Sequence, residues 1–170
     1  TVHPGWSEGT GQATATGSTS GWVQCVPAVE TALGSRTAKV NLWQGTKRDW
    51  IVAPRVAIIS ATDELTFKAA MTDYNAATAD PEGMGATDDS VNVRISTDCG
   101  LSYTTIYSFN ATNLAPTTLT EYTVSLASYV GQQVIIGIFA TEGTVDNTAD
   151  YDFHVDDIRI GAPPTCFAPT

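Results

Sequence analysis

Basic residues are scarce in this 170-residue sequence, which holds eight Lys and Arg against eighteen Asp and Glu. The resulting formal net charge of −10 argues against nucleic acid as a partner, because binding a phosphate backbone relies on basic surface. Long apolar runs are also missing. None approaches the roughly 20 residues that span a bilayer, so we predict no membrane insertion.

Cysteine and histidine are too few to build the common catalytic or metal motifs. The three cysteines, Cys25, Cys99 and Cys166, show neither a CxxC pair nor Cys/His ligand spacing. In an exported protein two of them could form a disulfide and leave one over, and the spacing does not say which two. The only histidines are His3 and His154, and no HExxH string occurs. We therefore predict that the chain is not an enzyme, and we expect His154 to be a surface imidazole.

Helix signals are nearly absent, whereas strand signals recur. Apolar and polar residues alternate in segments 65–72 and 91–96, as in strands that are buried on one face. Residues 134–139 are apolar on both parities, which predicts a central strand covered on both faces. A turn at 97–100 predicts a hairpin between strands 91–96 and 103–107. Many short strands joined by Gly, Asn and Asp turns predict an all-β sandwich of two sheets.

One strand pattern, in residues 151–160, changes phase in its middle. Apolar residues occupy odd positions up to Val155 and even positions from Ile158 onward. Because strand side chains alternate with a period of two, one extra residue must be absorbed at Asp156 and Asp157 if a single face stays buried. We predict a β-bulge there. Two adjacent carboxylates beside an apolar strand need a partner, and a hard cation is the natural one.

Two long acidic loops, residues 73–89 and 141–151, are of a length that is usually functional or mobile in a compact domain. A glycan-binding surface needs an exposed aromatic side chain with polar neighbours. The alternative for the tryptophans is core or rim packing. The predicted ligand-binding residues are the aromatic Trp43, Tyr74 and Tyr151 with the polar Asp73, Asn75, Asp146 and Asp150.

The chain end is rich in proline. We predict one domain over residues 1–160 and a linker over residues 161–170 that leads toward a further domain. The length of the chain suits a single β-sandwich.

A series of short motifs occurs in a recognisable order. The motifs are Pro4-Gly5-Trp6, Arg48-Asp-Trp-Ile-Val-Ala-Pro54, Asp89-Ser-Val-Asn-Val93, Ile95-Ser-Thr-Asp-Cys-Gly-Leu-Ser-Tyr103, Leu126-Ala-Ser-Tyr-Val-Gly-Gln132 and Phe153-His-Val-Asp-Asp-Ile158. This order resembles the cleaved-adhesin and choice-of-anchor J families, which are relatives of the MAM domain, over about residues 4–160. Two positions depart from the family pattern: Cys99 stands where a glycine is usual, and Tyr103 where a tryptophan is usual.

The resemblance implies a jelly-roll β-sandwich of two antiparallel sheets in a secreted or cell-surface bacterial protein. It also implies a structural calcium to which Asp156 and Asp157 contribute, and a core position for Trp50. Calcium needs six to eight oxygens, so we add Asp49 as the candidate third acid, with Glu8 behind it. The alternative is that the acid pair only bonds backbone amides that the bulge frees.

Together these observations predict a non-catalytic extracellular adhesion or carbohydrate-binding module of a larger protein, monomeric and with a structural calcium. Its expected partner is a polysaccharide, a surface glycan or an extracellular protein. The alternative function is a spacer or folding-support domain for a secreted protease or glycosidase, without a ligand of its own.

Overall fold

The computed structural model describes residues 5–43, 45, 47–85, 88–145 and 147–163. Within these residues the chain forms ten β-strands, the α-helix α1 (Pro27–Leu33) and a 3-10 turn (Ala127–Tyr129). The strands are β1 (Ser7–Thr10), β2 (Trp22–Gln24), β3 (Ala38–Leu42), β4 (Arg48–Val52), β5 (Glu64–Asp73), β6 (Ser90–Ser96), β7 (Thr104–Asn110), β8 (Thr120–Ser125), β9 (Ile135–Thr141) and β10 (Tyr151–Gly161).

The strands form two antiparallel five-stranded sheets, packed face to face. The first sheet has the order β1-β4-β9-β6-β7 and the second the order β2-β3-β10-β5-β8. From β3 to β10 the chain changes sheet at every step except the β6–β7 hairpin. These eight strands therefore make the two four-stranded sheets of a jelly roll, and β1 and β2 extend them at one edge. The predicted jelly-roll β-sandwich is confirmed.

Side-chain alternation places the core between the two sheets. In β5, Leu65, Phe67 and Ala69 turn inward and are almost completely buried, as the sequence pattern predicts. Strand β9 occupies the centre of its sheet and is buried on both faces, which confirms the prediction from its continuous apolar run. The Trp50 side chain is fully buried, as the family resemblance implies, in a separate cluster with Val52 and Phe139.

The hairpin between β6 and β7 is confirmed by direct pairing of the two strands. Its turn places Cys99 at φ 65° and Gly100 at φ 86°, a left-handed conformation that costs glycine little and cysteine more. Cys99 is exposed, Cys25 is buried, and the two are not bonded to each other. Cys166 lies outside the described residues, so the cysteine pairing stays a prediction.

The sequence pattern did not predict the helix α1. Pro27 stands in its first turn, and Gly34 ends it in the left-handed conformation at φ 72°. Val29 is buried on its inner side. A proline at the start and a glycine past the end were the sequence signals for this helix. Within the described residues no helix is long and apolar enough to cross a membrane.

The predicted bulge in β10 is confirmed. Asp156 pairs with Lys68 of β5, and the next pair is Arg159 with Thr66. Between these two pairs β10 contains one residue more than β5, which defines a β-bulge. Asp157 takes up the difference with a positive φ of 49°. The apolar face of the strand therefore stays on the core side across the acid pair. The linker predicted for residues 161–170 falls mostly outside the described residues and stays a prediction.

Candidate functional site

The outer face of the second sheet, the face turned away from the first sheet, is polar where β3, β10 and β5 run side by side. Lys39 and Asn41 of β3 point outward between the inward Val40 and Leu42. Asp152 of β10 points to the same side, because Tyr151 and Phe153 belong to the core. The alternation of the sequence thus sets a lysine, an asparagine and an aspartate on one surface.

A buried ion pair anchors this face. The Lys39 Nζ lies 2.6 Å from Asp152 Oδ2, and the two side chains are only 6% and 0% exposed. Lys39 also donates to Asn75 Oδ1 at 2.6 Å, and the Asn75 backbone N–H donates to Asp152 Oδ2 at 2.9 Å. Three residues from three chain segments therefore hold one another, and the turn after β5 is tied to the sheet. The Oδ1 atom of Asp152 is buried without a hydrogen-bond partner among the described residues.

The Tyr74 ring packs against the Lys39–Asp152 ion pair and is 50% exposed. The ring centroid lies 5.5 Å from Lys39 Nζ, a cation–π distance. Its backbone N–H donates to the Asp73 carboxylate at 2.8 Å and to the Asp150 carbonyl at 3.1 Å. The ring is therefore positioned by its own backbone and by a buried cation, while one side of it faces solvent.

Trp43 lies across β10 from Tyr74. It follows β3 directly, shares the parity of Lys39 and Asn41, and is 46% exposed. Asn41 Nδ2 donates to Asp150 Oδ1 at 2.8 Å, so Asp150 lies between the two aromatic residues. Their main chains are two strands apart, or roughly 10 Å. We call this surface the aromatic patch and define it by Trp43, Tyr74, Asn41, Asn75 and Asp150.

The two long loops close the same end of the sandwich. The Asp88 carboxylate accepts the backbone N–H groups of Thr144 at 2.6 Å and of Val145 at 3.2 Å, and these bonds hold the pKa of Asp88 below its usual range. Thr148 Oγ1 donates to Glu82 Oε2 at 2.8 Å. The loops are therefore linked to each other and support the patch. Asp146, a predicted contact, lies outside the described residues.

Tyr151 is a correction to the predicted ligand-binding set. It is the first residue of β10, fully buried, and its hydroxyl donates to Asp89 Oδ2 at 3.1 Å. Burial raises the pKa of this phenol well above its usual value. Tyr151 shares the parity of Phe153 and Val155, so the sequence itself placed it in the core.

His154 is a second correction, since it is completely buried. Its Nδ1 lies 2.9 Å from Thr37 Oγ1 and its Nε2 lies 3.1 Å from Thr72 Oγ1. Burial lowers the pKa of His154 to about 4, so the ring is neutral at pH 7. Without access to solvent it cannot meet a substrate.

The acid pair at the bulge has protein partners. Asp156 accepts hydrogen bonds from Ser35 Oγ and from the Asp157 backbone N–H. Asp157 Oδ2 lies 2.7 Å from Lys68 Nζ, and the side chains of Asp157 and Lys68 are 61% and 38% exposed. Asp49 belongs to β4 in the other sheet, and its carboxylate lies against Gly21.

The three predicted calcium ligands are not brought together as one coordination shell. Among the described residues no three Asp, Glu, His or Cys side chains form a group that could hold a metal ion. Glu8 accepts from Ser20 Oγ at 3.0 Å. A cation at the acid pair would need carbonyl or solvent oxygens beyond the predicted trio. Calcium therefore stays a prediction.

The sequence pattern named Tyr74, Asn75 and Asp150 as candidate ligand-binding residues but did not indicate Lys39, Asn41 and Asp152. The polar parity of residues 38–42 was the available signal for the first two. The contacts of Asp152 join residues 77 and 113 positions apart, which spacing along the chain does not reveal.

Comparison with known proteins supports the fold. No protein-family model and no curated protein sequence matches the chain. Two cleaved adhesin domains of Lys-gingipain from Porphyromonas gingivalis give TM-scores of 0.56 and 0.57 at 14% identity; they cover 96% and 95% of this chain and 94% and 93% of their own. A carbohydrate-binding module from the β-sandwich superfamily, described for its promiscuous specificity, gives 0.56 at 18% identity. That match covers 92% of this chain and 56% of the other.

A further solved structure is the module TmCBM61 in complex with β-1,4-galactotriose. It gives a TM-score of 0.52 at 9% identity and covers 94% of this chain and 90% of its own. At such low identity these likenesses show the fold alone. The resemblance that the motif order indicated is therefore confirmed as a shared β-sandwich fold with cleaved adhesin domains.

Proposed function

We propose that the chain is a non-catalytic extracellular module that binds a polysaccharide or a surface glycan through the aromatic patch. The observation that carries this proposal is the pair of half-exposed aromatic side chains, Trp43 and Tyr74, whose main chains lie roughly 10 Å apart on either side of hydrogen-bonding groups. A sugar ring presents an apolar face that stacks on such side chains. Its hydroxyls pair with carboxylate and amide groups such as those of Asp150 and Asn75.

The support beneath Tyr74 favours binding over mere exposure. An exposed aromatic side chain in a loop ordinarily loses rotamer freedom when it engages a ligand. Here Lys39, held by Asp152 and Asn75, lies against the ring before any ligand arrives. Less freedom remains to be lost on binding. A buried ion pair often adds little net stability compared with apolar residues of similar size. We therefore assign the Lys39–Asp152 pair the role of positioning the Tyr74 ring.

The non-catalytic assignment rests on the surroundings of the candidate groups. His154 is buried and bonded on both ring nitrogens, and the carboxylates of Asp73 and Asp150 near the patch accept hydrogen bonds within the protein. The neighbours in fold include domains named as adhesins and as carbohydrate-binding modules, which supports a binding role and an extracellular setting.

The test is a glycan array probed with the labelled protein and with the variant Tyr74→Ala. We expect binding to at least one polysaccharide class and a loss of about tenfold or more in the variant, the size of effect that interface aromatics show. Ile58→Ala is the matched control, because Ile58 is 62% exposed and lies at the other end of the sandwich. The control should bind like the wild type.

Two results would count against the proposal. Glycan binding that Tyr74→Ala leaves unchanged would move the site elsewhere. An array of glycans and extracellular proteins without any signal would favour the spacer or folding-support function instead.

The structural calcium is proposed separately, at the acid pair Asp156 and Asp157. The exposed carboxylate of Asp157 and the bulge conformation support it. Its role would be to tie the end of β10 to its surroundings. Glycan binding at the aromatic patch does not depend on it, since the patch lies at the other end of β10.

A further inference from the structure

A pocket of about 430 Å³ opens at the corner of the sandwich opposite the aromatic patch. Its walls come from both sheets: Ile51 of β4 on one side, and Ala38 of β3 with Val155 of β10 on the other. Pockets that hold small ligands are mostly apolar with a few polar groups and have volumes of about 300–1,000 Å³. The volume and the apolar walls match that description.

Two tryptophans line the pocket. Trp22 is 5% exposed, and its indole Nε1 donates to the Asp49 carbonyl at 3.2 Å, which fixes the plane of the ring. Trp6 precedes β1 and is partly buried. Val23, next to Trp22, is 52% exposed at the mouth. The pocket therefore offers the partly buried Trp6 indole as aromatic surface that a ring-shaped ligand can contact, and the nearly buried Trp22 forms part of the wall.

The rim carries groups of both signs. On one side Arg36 Nε donates to Glu30 Oε1 at 3.0 Å, and Gln24 Nε2 donates to Glu30 Oε2 at 3.4 Å. A guanidinium has five N–H donors in all, so one bond to Glu30 leaves four further donors. On the other side stand the carboxylates of Asp156 and Asp157, which line the pocket at the bulge.

This combination selects among ligand classes. An entirely apolar ligand would take water from Arg36 and Asp156 without replacing its hydrogen bonds. A simple anion would meet two carboxylates, and an organic cation large enough to fill the pocket would meet Arg36. A neutral ring with one apolar face and several hydroxyls avoids these mismatches: the apolar face contacts Trp6, and the hydroxyls donate to Asp156 and accept from Arg36.

We propose that this corner pocket is a second saccharide site, which takes a single neutral sugar ring or the end of a chain. It is independent of the aromatic patch, since the two share no residue. Strand β10 connects them: Asp150 lies at the patch and Asp156 at the pocket, six residues or roughly 20 Å apart. A monomer with both sites holds two sugar chains at once, or two parts of one chain, and gains avidity from the second contact.

The four tryptophans allow both sites to be tested in one experiment. Trp6 and Trp22 report on the pocket and Trp43 on the patch. Trp50 is buried under the loop after β1, with Nε1 bonded to the Gly11 carbonyl at 2.6 Å, and serves as an internal reference. Protein with ¹⁵N-labelled indoles is titrated with a panel of neutral mono- and disaccharides, and the four indole N–H signals are assigned with Trp→Phe variants.

We expect at least one saccharide to shift the Trp6 and Trp22 signals along a single saturation curve without moving Trp50. Arg36→Ala should weaken that affinity roughly tenfold, as expected for losing hydrogen bonds to a charged group. The side chain of Arg36 is 70% exposed, so the variant should fold normally. Arg159→Ala, an exposed arginine of β10 outside the pocket, is the matched control and should bind like the wild type.

Several results would overturn this inference. The Trp6 and Trp22 signals could stay fixed for the whole panel, or the affinity could be unchanged in Arg36→Ala. A response to p-cresol without any response to a saccharide would assign an apolar ligand instead. Signal shifts confined to Trp43 would support binding at the aromatic patch and exclude saccharide binding in the corner pocket. Failure of one site is therefore distinguishable from failure of the other.

Discussion

The buried pair Lys39–Asp152 gives the sharpest prediction about how this fold supports its surface. Replacing Lys39 by methionine keeps most of the side-chain volume and removes the ammonium group. Asp152 is then left completely buried, and among the described residues the Asn75 backbone N–H, at 2.9 Å, is the donor that remains on its Oδ2 atom. The Lys39→Met variant therefore carries a carboxylate whose charge has lost its compensation.

The expected cost follows from that geometry. Breaking a buried ion pair by removing one partner destabilises a protein by about 3–5 kcal/mol. In a domain of 150–250 residues each kcal/mol lowers Tm by about 2–4 °C, so Tm should fall by about 6–20 °C. Adding Asp152→Asn to Lys39→Met removes the stranded charge and should recover part of the loss. The Tyr74 ring also loses the cation beneath it, so glycan affinity should fall as well.

The assay is thermal unfolding followed by circular dichroism at pH 7, with the single and double variants measured together. Lys68→Met is the matched control, because the Lys68 side chain is partly exposed and its partner Asp157 is mostly exposed. Exposed pairs contribute little in water, so the control should melt close to the wild type. Equal Tm losses for Lys39→Met and Lys68→Met would refute the assignment of a buried anchor, and so would a double variant that is less stable than the single one.

Three further predictions concern other sites. Tyr151→Phe removes the bond to Asp89 and should cost about 1.5–3 kcal/mol in urea unfolding while leaving glycan affinity unchanged; reduced affinity in a normally folded variant would restore Tyr151 to the ligand site. The His154 pKa is lowered from 6.5 to about 4, so between these pH values the unfolded chain binds a proton that the folded chain does not. The free energy of unfolding should therefore decrease as pH falls from 6.5 to about 4, by at most about 1.4 kcal/mol per pH unit. His154→Gln should lack this pH dependence, and an unchanged dependence in the variant would contradict the burial of the ring. Calcium at about 100 times its Kd should add about 2.7 kcal/mol to stability, less in Asp157→Asn; no melting shift with chelator and no metal by elemental analysis would exclude it.

The elements that local pattern specifies were predictable. The alternation in β5, the apolar run of β9 and the phase change at Asp156 each follow from the period of a strand, and each appears in the structure at its expected place. A one-residue slip would turn the apolar set of β10 to the solvent, so the sequence must encode the bulge. The helix α1 was missed because its seven residues are too few for a helical period to stand out.

The candidate site was predictable only in part, because it depends on contacts between distant segments. Tyr74 and Asn75 follow a strand end and could be named, but the lysine beneath them comes from β3. Burial of His154 also depends on what covers the outer face, which its strand pattern does not record. The sequence pattern also could not say where Asp49 lies relative to Asp156 and Asp157. Asp49 belongs to β4 of the first sheet, and among the described residues no three Asp, Glu, His or Cys side chains form a group that could hold a metal ion.

The most direct test of the central claim is calorimetric titration of the strongest glycan from the array against the wild type, Trp43→Ala and Tyr74→Ala. If the aromatic patch is the binding site, each substitution should raise Kd by about tenfold or more, since aromatic residues at the centre of an interface contribute at least about 1–2 kcal/mol each. Unchanged melting temperatures would show that the fold is intact. A Kd that neither substitution alters would contradict the account.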